Sequence, residues 1–220
     1  MNAIKHKIKN LLGIANNNPQ LVDEATFKAW LEDGHAVRYV MYKAIYDFVK
    51  REFFDKQKFD LQAIEFGGSN TLIKGIFNSA NYEIAENYPE VDITDLKGYA
   101  DNSYDVVITD QVMEHVADPW AAVAEVRRIL KPGGWFICTT PFLIQIHNYP
   151  GDFWRFTPDG IKVLMRDYAK TIVDSWGNCE SAAYYLSLKD NWPTVSQAKN
   201  DNKFILENEK GLFIKKFKPF

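Results

Sequence analysis

The chain has 220 residues, 26 Lys and Arg against 29 Asp and Glu, and a net charge of −3. That balance offers no electrostatic footprint for a nucleic-acid backbone, and two cysteines, Cys138 and Cys179, make neither a disulfide framework nor a metal cluster. With 46% hydrophobic and 25% charged residues and no apolar run near the ~18 residues that span a bilayer, the composition predicts a soluble globular domain with an extension.

The start, M-N-A-I-K-H-K-I-K-N-L-L-G-I-A, is basic with a short apolar stretch. It lacks a full signal-peptide core, so a cytoplasmic location is expected, with a weak amphipathic surface helix as the other reading. Asn16 to Pro19 break the chain. A helix over 22–32 places Phe27, Trp30 and Leu31 on one face, and Gly34 ends it. A second helix over about 35–53 repeats Val37, Val40, Met41, Ala44, Ile45 and Phe48 at helical spacing. Residues 1–55 read as a helical extension or cap, and 56–220 as the main domain. From Leu61 short apolar runs alternate with helices. Strands are expected at 61–66, 81–85, 104–109 and 134–140, with helices at 70–79 and 119–131. This alternation predicts an α/β fold with a mostly parallel sheet and helices on both faces. Asp118 caps the helix that Pro119 begins, and Pro132-Gly133-Gly134 turns the chain into the next strand. Beyond Phe142 comes an aromatic loop at 144–158, then a helix from Thr157-Pro158 to about Tyr168, a strand at 170–176 and a last strand at 210–217. The stretch 187–208 carries no readable pattern.

Four segments recur in order: A-I-E-F-G-G-S-N at 63–70, V-D-I-T-D-L at 91–96, D-N-S-Y-D-V-V-I-T-D-Q-V-M-E-H-V at 101–116 and R-R-I-L-K-P-G-G-W-F-I-C-T-T-P-F at 127–142. Together they resemble the core of a class I S-adenosylmethionine-dependent methyltransferase. The string P-F-x-x-x-I-H-x-Y-P-x-D-F-W-R-F-T-P resembles a type-11-like subgroup often found in surface-glycan or natural-product pathways. The resemblance covers about residues 60–178. It implies a Rossmann-like fold with a seven-stranded, mostly parallel sheet and an antiparallel terminal strand. It also implies S-adenosylmethionine as cofactor, with S-adenosylhomocysteine as product.

The resemblance assigns roles residue by residue. Glu65, Gly67, Gly68 and Ser69 form the loop beside the cofactor, where bare backbone permits close approach. Ser69 and Thr71 stand where the family has its second and third glycines. That departure motivates a catalytically silent binding subunit as an alternative. Glu86, 21 residues after Glu65, is the expected ribose acid, with Glu83 its competitor. Asp92 accepts from the adenine amino group and the Ile93 N–H meets a ring nitrogen. Asp110 or Gln111 flanks the methionine part. The aromatic loop stands over the methyl group, so Tyr149, Asp152, Trp154 and Arg155 are expected to contact the acceptor, although Trp154 and Arg155 also fit a cation–π pair that stiffens the loop. The reaction implied is in-line transfer of a methyl group to an oxygen of a small molecule or sugar, with an amine acceptor as the alternative. A sugar hydroxyl needs a base: His147 first, His115 second, His115 also fitting a structural role. The sequence shows no metal cluster, and a metal-dependent mechanism is not expected. The expected partner is a small-molecule or sugar acceptor, with no nucleic acid and no membrane insertion.

Overall fold

In a computed structural model, the described residues are 22–32, 34, 38–58, 60–67, 71–77, 81–85, 89–147, 150–175, 183, 186–187 and 193–200. Helix α1 (Glu24–Glu32) opens where Asp23 Oδ1 accepts from the Thr26 N–H at 2.9 Å, a side-chain cap for an otherwise unpaired donor. Helix α2 (Tyr39–Val49) buries Met41, Tyr42, Ile45, Tyr46 and Val49 and runs into a wider π turn at Lys50–Phe54. The helix expected from about residue 35 therefore begins at Tyr39, with 35–37 outside the described residues.

Strand β1 (Ala63–Phe66), helix α3 (Thr71–Phe77) and strand β2 (Tyr82–Ala85) follow. Strand β3 (Tyr104–Asp110), helix α4 (Pro119–Ile129), strand β4 (Leu130–Thr139), helix α5 (Pro158–Leu164) and helix α6 (Val195–Asn200) complete the described elements. The strands pair in the order β2-β1-β3-β4, all parallel. β4 starts earlier than expected. Pro132 and Gly133 do not separate α4 from the strand but form an irregularity within it, between the Tyr104–Leu130 and Val106–Trp135 pairs.

Alternation along each strand divides the core in two. Ala63, Tyr82, Val106 and Ile108 face α1, α2 and α3, meeting Leu31, Ile45, Val49, Ile73 and Phe77. Ile64, Phe66, Ala85 and Val107 face α4 and α5, meeting Ala122, Val126, Ile129 and Leu164. Each fully buried Ile, Val or Phe contributes about 1.5–3 kcal/mol relative to exposure, so α1 and α2 are held mainly by this packing. Phe27 stacks on Tyr46 at 4.2 Å. Trp30 of α1 lies across α3 at Gly75, where a Cβ would stand 2.7 Å from the indole; the helix carries a glycine because the ring occupies that space.

Only the four parallel strands of the expected seven occur among the described residues. Residues 170–175 are not a strand. Thr171, Ile172 and Val173 favour extended backbone, but Ile172 is 47% exposed, and a strand without a neighbour has no packing to stabilise it. Trp176 and 210–217 lie outside the described residues.

Candidate functional site

Chain order places a switch point between β1 and β3: one connection from β1 leads to β2 on one side, the next crosses to β3 on the other. Open parallel sheets bind ligands in the crevice beyond the carboxyl ends of such strands. β1 ends at Gly67, whose φ is +73° and whose N–H donates to Ala85 O at 3.1 Å. A Cβ there would meet Val112 Cγ2 at 2.5 Å, so geometry and space both require glycine. Just inside the sheet, Glu65 is fully buried and accepts from the Tyr82 hydroxyl at 2.5 Å; burial beside that carboxylate pushes the phenol well above its ordinary value.

β3 ends at Asp110, buried and heavily coordinated. Its Oδ2 accepts from Tyr42 at 3.0 Å and from Arg38 Nη1 at 3.1 Å, and its Oδ1 from Thr139 at 2.6 Å. These bonds fasten α2 to the crevice and join β3 to β4. Gln111, at φ +57°, donates from its amide to Thr139 Oγ1 at 3.2 Å and lies against Met41 Sδ at 3.8 Å.

Between β2 and β3, Asp92 Oδ1 accepts from the Thr94 N–H at 2.9 Å and its hydroxyl at 2.7 Å. The Asp92 Oδ2 has no hydrogen-bond partner among the described residues. Ile93 is buried in the core below. Arg128 of α4 pins this loop through the carbonyls of Leu96 (2.8 Å) and Tyr99 (2.9 Å), while Glu125 Oε2 accepts from the Leu96 N–H at 2.8 Å.

Past Gln111, a tight 3₁₀ turn at Met113–His115 presents Glu114 and His115. Glu114 is 0% exposed, its two carboxylate oxygens have no hydrogen-bond partner from another described residue, and burial raises its carboxyl above the ordinary range. His115 Nε2 stands 3.6 Å from Glu114 Oε1, its Nδ1 lies against Gly151 O, and its ring meets that of His147 edge-on at 4.9 Å. The following loop is fastened to this turn. Phe153 and Trp154 N–H both donate to Glu114 O, at 2.7 and 3.2 Å, and Trp154 Nε1 donates to Val116 O at 2.9 Å. Asp152, with 2% of its side chain exposed, pairs through both oxygens with Arg155 and accepts from the His147 N–H at 2.9 Å. Those bonds hold its carboxyl well below the usual range, Arg155 acting most strongly. Phe142, Leu143, Ile146 and Phe153 remain exposed on the loop.

The sequence profile of a methyltransferase domain matches residues 74–138. Within the chain, 55 residues are 40% identical to an uncharacterized methyltransferase of Schizosaccharomyces pombe, covering 25% of this chain and 20% of that protein. A stretch of 41 residues is 51% identical to the ubiquinone biosynthesis O-methyltransferase of Cereibacter sphaeroides, covering 19% of this chain and 17% of that protein. The profile match, over less than half of the chain, is a likeness to the methyltransferase domain family. A solved methyltransferase from Archaeoglobus fulgidus is similar at 12% identity over 62% of this chain and 73% of that one, with a TM-score of 0.41. The chain matches no more than about a fifth of the length of these curated relatives.

The residues expected from sequence to lie beside a cofactor fall into three groups. Gly67, Asp92, Ile93, Asp110 and Gln111 all lie at the carboxyl ends of strands or in the loops that follow. Glu65 is turned into the sheet and engaged with Tyr82. Gly68, Ser69 and Glu86 lie outside the described residues, as does Tyr149 of the aromatic loop. Glu83, the competitor for the ribose, accepts from Tyr104 at 2.7 Å. Asp152 and Arg155 pair with each other. Trp154 stacks on Phe156 at 5.9 Å and meets Trp120 edge-on at 5.8 Å, so these residues rigidify the loop by an ion pair and ring stacking, not by the Trp154–Arg155 cation–π pair considered from sequence.

Sequence reasoning missed Arg38, Tyr42 and Thr139. Arg38 and Tyr42 sit one helical turn apart at the start of an apolar stripe, Arg38 donating to the Tyr42 hydroxyl at 2.9 Å and both to Asp110, and that spacing was the available signal. It also missed a cluster assembled only in space: Glu114, His115 and His147 each offer a metal-ligating atom, all within 4.8 Å of one another.

Proposed function

We propose that this chain transfers a methyl group from S-adenosylmethionine to a hydroxyl of a small molecule or sugar. The carrying observation is Gly67, which ends β1 at the switch point of the parallel sheet with a φ of +73° and no room for a side chain. Asp92 supports an adenine contact because Oδ2 remains for the amino group, with the Ile93 N–H beside it. Glu86, next after the end of β2, is the ribose acid. Gly67, Gly68 and Ser69 pass close to the cofactor, and Gln111 and Arg38 flank its methionine part. The cofactor, when bound, supplies an electrophilic methyl group on sulfur.

The protein's share is placement and proton handling. The Asp152–Arg155 pair fixes the backbone of His147, and Gly151 O fixes the ring of His115, so the two imidazoles present a preorganised pair to an acceptor hydroxyl. Phe142, Leu143, Ile146 and Phe153 offer an apolar surface beside it, which suits an acceptor with an apolar or ring face.

Calorimetric titration with S-adenosylhomocysteine tests the reading. Wild type is expected to bind, and Asp92→Ala to bind more weakly by about 1–3 kcal/mol, the scale of one lost buried hydrogen bond. Absence of binding by folded wild type overturns the function; undiminished affinity in Asp92→Ala overturns the adenine assignment.

A further inference from the structure

Three side chains from two segments, Glu114 and His115 on the turn after β3 and His147 on the aromatic loop, converge within 4.8 Å at their ligating atoms. Two features of the group are unusual for a merely structural cluster. The first is the Glu114 carboxylate, fully buried with neither oxygen hydrogen-bonded to another described residue. A buried carboxylate in that condition is costly unless it is paired or coordinates a metal. Its nearest cationic candidate is the imidazole of His115, 3.6 Å away and outside hydrogen-bond range.

The second is the way the imidazoles are held. His115 Nδ1 faces Gly151 O, and His147 Nδ1 faces Gln145 O at 3.3 Å and Asp152 Oδ2 at 3.4 Å. Those acceptors place the ring proton on Nδ1 in both cases, leaving the Nε2 lone pairs available. A carboxylate or carbonyl behind a ligating histidine is the usual outer support of a metal site. It fixes the tautomer and aims the ring.

We propose that Glu114, His115 and His147 bind one divalent transition-metal ion of the zinc type. Two imidazoles and one carboxylate form a donor set that such ions accept while keeping a position open. Metal–ligand distances of about 2.0–2.2 Å require the three groups to close slightly from their present separation, and His147, on the loop and partly exposed, is the one with room to move. On the methyl-transfer reading above, the open position takes the acceptor hydroxyl. The ion lowers the pKa of that hydroxyl, and its proton leaves to water. The oxygen then gains the methyl group as the carbon–sulfur bond breaks, leaving S-adenosylhomocysteine. On this reading the histidine pair holds the ion and does not act as a free base.

Cobalt(II) is the probe, because its visible absorption reports coordination independently of catalysis. Chelator-treated, desalted full-length protein is titrated with cobalt chloride and then with zinc chloride. The expected result is a saturable visible band of one ion per chain, displaced by zinc and weakened at least tenfold in affinity in both Glu114→Gln and His147→Ala. His147→Ala removes a partly exposed side chain, so it keeps the test valid if Glu114→Gln fails to fold. No saturable band in folded wild type, or equal cobalt affinity in a folded His147→Ala protein, overturns the site. S-adenosylhomocysteine titration of the same preparations separates the two readings. Cobalt binding without S-adenosylhomocysteine binding overturns methyl transfer and supports the metal site, and the converse overturns the metal site alone.

Discussion

Replacing Gly67 with alanine adds one methyl group at a backbone φ of +73°, and that carbon would stand 2.5 Å from Val112 Cγ2. Two separate costs follow. A residue with a Cβ in the left-handed region loses roughly 1–2 kcal/mol. Relieving the overlap forces Val112 off its rotamer or shifts the end of β1, about 1–3 kcal/mol for overpacking. The sum, about 2–5 kcal/mol, corresponds to a fall in Tm of roughly 5–15 °C for a chain of this length. Thermal or urea unfolding of four proteins apportions it: wild type, Gly67→Ala, Val112→Ala and the double variant. Shortening Val112 removes the collision but not the backbone strain, so the double variant should recover a coupling energy of about 1–3 kcal/mol. A Gly67→Ala protein that melts with the wild type would refute the account entirely. Strict additivity in the double variant would refute the collision and leave strain alone.

Two further outcomes are expected. Arg155 and the His147 N–H depress the Asp152 carboxyl in the folded state below its ordinary 3.8, so folding is favoured by this group above about pH 4 and that contribution is lost as pH falls below it; Asp152→Asn should be less stable at neutral pH and flatten the melting temperature between about pH 5 and 2.5, and an unchanged slope there would show that the ion pair does not form. Arg128→Ala removes bonds to Leu96 O, Tyr99 O, Glu125 and Asp101, and because the guanidinium is partly exposed the loss should be about 1–2 kcal/mol and not the sum of its bonds. Hydrogen exchange at the Leu96 and Tyr99 amides should quicken roughly tenfold, and unchanged protection would show that the loop holds itself.

The parts of this fold that periodicity governs were legible in the sequence. β1, β2 and β3 are short apolar runs between turn signals, and α4 carries both its cap, with Asp118 Oδ1 accepting from the Ala121 N–H at 3.1 Å, and its buried stripe. Gly67 was legible as a glycine at a strand end, but the space it leaves for Val112 was not. What escaped reading depends on pairing across long separations. The bonds from Arg38 and Tyr42 to Asp110 span 72 and 68 residues, and no local pattern announces them. The strand expected at 170–176 failed on the same principle, because extended propensity becomes a strand only where a neighbour waits. The roles of Asp152, Trp154 and Arg155 were ambiguous because a residue type that recognises a ligand is equally suited to bracing a loop. The Glu114, His115 and His147 cluster needed the fold to bring His147 back to the turn after β3, 32 positions along the chain.

The aromatic loop is tied to that turn through backbone: the carbonyls of Glu114 and Val116 hold Phe153 and Trp154, and Gly151 O meets His115. None of these bonds uses the side chains of Phe142, Leu143, Ile146 or Phe153, which face solvent. The molecule therefore separates what must stay constant from what is free to vary. Phe142, Leu143 and Ile146 can be exchanged without loosening the frame behind them, and on the proposed reading a new acceptor preference is reachable by single substitutions there that leave folding untouched.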